Sequence, residues 1–188
     1  MKRIAILAIS VGLSLPAFAA PETFIIDSNH TYPNFSYTHM GFSTQQSKFD
    51  KTTGKVTIDR AAKTGSLDIS IDSKSVNTGS ELFNGHIKGE DYFNVEKFPV
   101  ITFKSSSFKF DNNKVASIAG DLTIKGVTKP VTLNVASFNC APHPFAKKEA
   151  CGANASATIK RSDFNAGKYA PAVSDEVTLN IVVEAIKE

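Results

Sequence analysis

Strict two-residue alternation of apolar and polar side chains sets the firmest limit on what this chain can fold into. In GDLTIKGVTKPVTLNV (120–135), Leu122 and Ile124 flank Thr123; after KGVTKP the pattern resumes with Val131, Leu133 and Val135, separated by Thr132 and Asn134. Successive side chains of a strand point to opposite faces, so this period predicts two strands, each with one apolar face, joined by a short connection. Leu67, Ile69 and Ile71 alternate with Asp68, Ser70 and Asp72, and Val177, Leu179, Ile181 and Val183 with Thr178, Asn180 and Val182. GKVTID, VITFKSSSFKF, SIAGDLTI and ASATIKR are similar short runs rich in Val, Ile, Thr and Phe. With one strand near TFIID or NFSYTHM, the count reaches about eight. One-sided strands linked by short turns form antiparallel sheets, and eight in one domain predict a barrel or a sandwich.

One segment breaks the period. In SELFNGHIKGEDYF (80–93), Leu82, Phe83, His86 and Ile87 share one side at helical spacing, with Ser80 placed to cap the start. Gly85 and Gly89 weaken this helix, so packing must hold it. A single short amphipathic helix of this kind is suited to closing or flanking one end of a barrel.

The first residues read as a targeting segment. Lys2 and Arg3 precede the apolar run Ile4–Leu15, and Ala17-Phe18-Ala19 supplies the small residues of a cleavage site. This predicts a secretory signal peptide over 1–19, cut after Ala19 or Ala20, and a single mature domain over 20–188 in the periplasm. Without Lys2 and Arg3 the formal charge falls from +3 to +1, which leaves nothing to attract nucleic acid or an anionic membrane surface. Cys140 and Cys151 are the only cysteines. Export favours a disulfide between them, a staple across a loop joining two strands, and their spacing is not that of a redox CxxC.

Catalytic patterns are weak. His30, His39, His86 and His143 form neither HxH nor HExxH, so no metal site is predicted. No GxSxG elbow occurs, and Asp59, Asp68 and Asp72 alternate with apolar neighbours as the solvated side of a strand does. The chain does not read as an enzyme. What stands out is fourteen phenylalanines with no tryptophan, several of them (Phe35, Phe42, Phe49, Phe83, Phe93, Phe103, Phe108, Phe110) on apolar faces. An eight-stranded barrel is just wide enough to be packed solid or to hold one slender apolar ligand. Periodicity alone does not separate the two.

A resemblance bears on that choice. DSNHTYPNFSYTHMGFS carries Asp27, His30, Phe35, His39, Gly41 and Ser43 in the order and spacing of the YceI-like family of exported polyisoprenoid-binding proteins. GHIKGEDYFNVEKFPVITFKS, with Tyr92-Phe93 and a Pro-x-Ile-Thr-Phe strand, is similar to that family's middle. The hairpin GDLTIKGVTKPVTL is its most recognisable signature, and RSDFN (161–165) and VSDEVTLNIVVEA (173–185) resemble its ending. Five positions depart: Thr31 stands where Ser is usual, Pro33 and Tyr37 where aliphatic residues are, Gly85 where an acid is, and Asn165 where Gly is.

The resemblance implies an all-β, lipocalin-like, eight-stranded antiparallel barrel with one short helix. Inside it would lie a long isoprenoid lipid, of quinone or polyprenyl type, or a fatty acid or amide as in some relatives. No cofactor beyond such a lipid is implied. Candidate ligand-binding residues are Phe35, Tyr37, His39, Phe42 and Phe49 near the start, and Leu82, Phe83, His86, Ile87 and Phe93 around the helix. On later strands they are Ile101, Phe103, Phe108, Leu133, Val135, Leu179 and Ile181. His30, Tyr37, His39 and His86 are the candidates for bonding a head group. Transient contact with a membrane or membrane protein, and a homodimer, are further expectations. The rivals are a quinone-linked redox role and a filled barrel acting in structure or stress response without ligand.

Overall fold

The computed structural model describes residues 20–188; the signal peptide expected over 1–19 lies outside them. In chain order the elements are β1 (Glu22–Ile26), β2 (Tyr32–His39), β3 (Ser43–Phe49), β4 (Thr52–Asp59), β5 (Thr64–Asp72) and β6 (Val76–Asn77). There follow α1 (Glu81–Lys88), β7 (Val100–Asp111), β8 (Lys114–Ile124), β9 (Val127–Pro142), β10 (Glu149–Lys160) and β11 (Glu176–Lys187).

These segments make eight staves, because three staves are broken. β11 pairs with β1 through Ile186↔Ile25 and with β2 through Leu179↔Phe35, so β1 and β2 are two lengths of one stave. β3 and β4 pair with them as a second broken stave, and β5 and β6 form a third, interrupted by the 3-10 turn Ser73–Ser75. All neighbours are antiparallel and β11 returns to the first stave, closing the barrel. TFIID and NFSYTHM, alternative strands by sequence, are therefore both used. β3 escaped notice because STQQSKF is mostly polar: Ser43 to Gln46 are exposed, and only Ser47 and Phe49 are buried.

Side chains bridge the breaks where backbone pairing lapses. Between β1 and β2, the Asp27 carboxylate accepts from the Asn29 amide at 2.9 Å and from His30 Nδ1 at 2.7 Å. Buried Thr31 donates its hydroxyl to the Glu184 carbonyl and accepts from the Glu184 amide, both at 3.1 Å, so one side chain replaces a ladder pair.

The Asp27–His30 pair titrates. The His30 bond, then the Asn29 amide, holds the Asp27 carboxyl below its usual value, while Asp27 holds the exposed His30 imidazole above its own. A lowered carboxyl contributes stability above its unfolded pKa of about 3.9 and loses it as pH falls through the folded value. A raised imidazole contributes stability below about pH 6.5 and loses it as pH rises through the folded value. Both contributions overlap between about pH 4 and 6.5. Thermal melts between pH 6 and 9 will show a small graded fall in Tm, absent from His30→Ala.

The β8–β9 connection is tighter than the expected KGVTKP: only Lys125 (φ 49°) and Gly126 (φ 75°) form it, and β9 begins at Val127. Positive φ at both central residues gives the two-residue turn whose twist suits a hairpin. Lys125 then reaches sideways, its ammonium donating to the Glu90 carbonyl at 2.9 Å and the Asn165 carbonyl at 2.7 Å. One lysine thus fastens two loops over the same barrel end. Asn165 holds a left-handed φ of 55°, a conformation that glycine adopts without strain and asparagine tolerates. At the other end, Cys140 and Cys151 are register partners across β9 and β10 and are disulfide-bonded, as the sequence predicts. Closing a loop of this size stabilises by about 3 kcal/mol in the chain-entropy account.

Candidate ligand cavity

The barrel is hollow, and the residues that face inward show it. On β9, Val131, Leu133 and Val135 point in between exposed Thr132 and Asn134, yet they are half-buried. Leu179, Ile181 and Val183 on β11 behave alike. In a solid core such side chains lose nearly all their surface; here they border a cavity of about 240 Å³ whose lining is almost wholly apolar.

The ends differ. Around β1, a fully packed cluster of Phe24, Ile26, Ile58, Cys151 and Ala185 forms a floor. Outside it, Arg60 lies 6.0 Å from the Phe24 ring centroid and pairs with Glu22 at 3.3 Å and Glu149 at 2.9 Å. The opposite end is capped by α1 and the loops 89–99 and 161–175, which bring Ile87, Phe93, Phe164, Ala166 and Val173 to the lining. Beneath this cap three rings meet: Phe35–Phe49, Phe35–Phe93 and Phe49–Phe93 centroids lie 5.6, 5.8 and 5.3 Å apart. Tyr37 stacks on Phe35 at 6.4 Å.

Arg161 is the only charged side chain among the described lining residues, and its donors are turned to the main chain. Nε donates to Ser174 at 2.9 Å, one terminal nitrogen to Ala166 and to Lys168 at 3.2 Å, and the other to Val173 at 2.8 Å. Arginine has five N–H groups, so four are spent folding its own loop.

Of the residues named from sequence, Phe35, Tyr37, Phe49, Ile87, Phe93 and Ile101 border the cavity, as do Phe103, Phe108, Leu133, Val135, Leu179 and Ile181. Five do not. Phe42 is 86% exposed in the β2–β3 turn, and Leu82 is 79% exposed because only the Ile87 side of α1 is buried. His86 is exposed on α1, Phe83 packs against the core from outside the lining, and His39 sits at the rim bridged to Val173. His30 lies outside, paired with Asp27. Of the four head-group candidates, only Tyr37 reaches the cavity.

Sequence reasoning missed Phe138, Arg161 and Thr52. The register skips Ala136, with Ser137 facing Asn154 and Val135 facing Ala155. This bulge shifts the inward parity of β9 from odd positions to even ones, so Phe138 turns in. No pattern in RSDFN betrays that Arg161 folds back. Among the described residues two groups have metal-ligand atoms in reach: Asp27, His30 and Glu184, whose imidazole is already bonded to Asp27, and Cys140, Glu149 and Cys151, whose cysteines form the disulfide.

Comparison with known proteins agrees with this geometry. The YceI-like domain model matches residues 24–185. Protein YceI of Escherichia coli O157:H7 is 34% identical over 173 residues, covering 92% of this chain and 90% of that protein. Among solved structures, Burkholderia cenocepacia BcnA has 28% identity and a TM-score of 0.72, over 85% of this chain and 99% of that one. A polyisoprenoid binding domain from Saccharophagus degradans, implicated in plant cell wall breakdown, shares the fold at a TM-score of 0.64 and 19% identity, over 88% of this chain and 98% of that one. The chain belongs to the YceI-like family.

Proposed function

We propose that this protein is a periplasmic carrier that holds one long apolar lipid, of isoprenoid quinone or polyprenyl type, inside the barrel, and that it is not an enzyme. The observation that carries this reading is the half-buried state of the inward residues of β9 and β11, which border free space lined by Val, Leu, Ile and Phe. An isoprenoid tail has almost no hydrogen-bonding groups. It needs only apolar area, worth about 25 cal/mol per Å² removed from water before ordering costs. The polyisoprenoid binding domain of Saccharophagus degradans supports the same use of the fold. Catalysis finds little support, since the one charged side chain among the described lining residues is engaged by backbone carbonyls.

Mass spectrometry of intact protein purified natively from the periplasm, followed by solvent extraction, tests the reading. A stoichiometric apolar adduct is expected, and the extract names its class. A clean apo mass that stays unchanged after incubation with quinones, polyprenyl lipids and fatty acids would overturn it.

A further inference from the structure

The almost wholly apolar lining of the cavity includes Tyr37. This residue is 7% exposed, and its hydroxyl has no hydrogen-bond partner among the described residues. A buried hydroxyl without a partner is costly, and such groups in native proteins are almost always satisfied.

We propose that Tyr37 donates its hydroxyl proton to a neutral, carbonyl-type oxygen on the ligand's head group, so that the lipid lies head toward the cap and tail toward the Phe24 floor. The inference rests on the carrier reading and specifies the ligand's polar end. Three observations shape it. The Tyr37 ring lies on Phe35, whose other neighbours are Phe49 and Phe93, so a flat head group meets aromatic surfaces on the same wall. Burial, with Tyr92 adding to it, pushes the phenol above its ordinary value, so it remains a proton donor at neutral pH. Arg161 borders the cavity, but with four N–H groups committed it offers positive potential without the free fork that a diphosphate or carboxylate takes. Such a charged head would enter an apolar chamber with most of its hydrogen bonds to water unreplaced. A carbonyl needs one good donor.

The test uses the mature protein, its Tyr37→Phe variant and three probes: ubiquinone with two isoprene units, squalene and palmitic acid. Tyr37→Phe is expected to weaken ubiquinone about tenfold while leaving squalene unchanged. With carbonyl-labelled ubiquinone, infrared spectra of the wild-type complex are expected to show a hydrogen-bonded carbonyl band, a readout that needs no variant to fold. An unshifted band, or equal ubiquinone affinity in both proteins, overturns the proposal. So does palmitate binding more tightly than ubiquinone. Thr52 carries the other unpartnered hydroxyl at the lining; if Thr52→Val weakens ubiquinone and Tyr37→Phe does not, the head group lies there and the proposal fails. If wild-type protein takes squalene and ubiquinone equally well, only the head-group contact is lost. If it takes neither, the carrier reading falls and this one with it.

Discussion

Replacing Leu133 by Trp will cut lipid affinity by a hundredfold or more while the barrel stays folded. Leu133 projects from β9 into the cavity beside its cross-strand partner Ile118, and neither is fully buried. An indole here occupies space that is already free. It displaces a guest and not a neighbour, which keeps the cost of overpacking near the bottom of its usual 1–3 kcal/mol range. Binding measured by retained lipid, alongside a thermal melt, checks both halves. Lipid retained by a folded Leu133→Trp protein would place the guest elsewhere. Phe103 makes the contrast. It is 7% exposed and packs so closely on Gly120 that a methyl group there would lie 2.9 Å from its ring. Arginine at that position buries an unpaired charge in a packed wall and will unfold the protein instead of merely emptying it.

Gly54→Ala will be nearly as damaging through the backbone alone. Gly54 holds a φ of 145° in β4, where an added Cβ would run into the Asp68 carbonyl oxygen and lie 3.0 Å from Ile69 Cα. Both obstacles belong to the paired strand β5, through Gly54↔Ile69, so relief requires moving a stave. Conformational strain and overpacking together cost about 3 kcal/mol or more, a fall of about 10 °C in Tm for a domain of this size. Gly152→Ala is the control: its Cβ would find nothing nearer than 3.6 Å, and little change is expected.

The contrast between Phe103 and Leu133 shows what the sequence withholds. Both sit on apolar stripes and read alike, because alternation reports which face a side chain takes and not whether anything lies opposite. The barrel itself was legible, since one-sided strands such as Leu67–Ile71 and Val177–Val183 have few other ways to bury their apolar faces. The broken staves were not. The joint between β1 and β2 is set by side-chain bonds, Asp27 to His30 and Thr31 to Glu184, that carry no periodic signal. Phe42 and Leu82 misled for a related reason: a large apolar residue in a turn or on a short helix looks like core until the element's orientation is known. Phe138 was hidden by the bulge at Ala136, which reverses parity partway along β9. Asn165 was noted only as a departure from glycine, although its backbone angle makes it an equivalent substitute.

The cap differs from the staves in how it is hydrogen-bonded. β3 is flanked by β2 along Ser43–Lys48, but on its other side it meets only β6, at Lys48 and Phe49. The chain from Ser80 to Phe98 closes its backbone bonds on itself, as in Asn84 to Ser80, Phe93 to Ile87 and Phe98 to Asn94. Side chains tie it to the rest of the chain: Lys125 to Glu90, Lys168 and Tyr169 of the other cap loop to Asp91, and Asn84 to the Thr78 amide. Parting two staves breaks a row of ladder bonds, whereas this segment is held by single side-chain bonds, Ser73 to the Phe98 carbonyl and Lys74 to Glu96 among them, and by the packing of Ile87, Tyr92, Phe93 and Val95. The integrity of the barrel wall and the closure of its end are therefore set by different kinds of bond in different stretches of the chain.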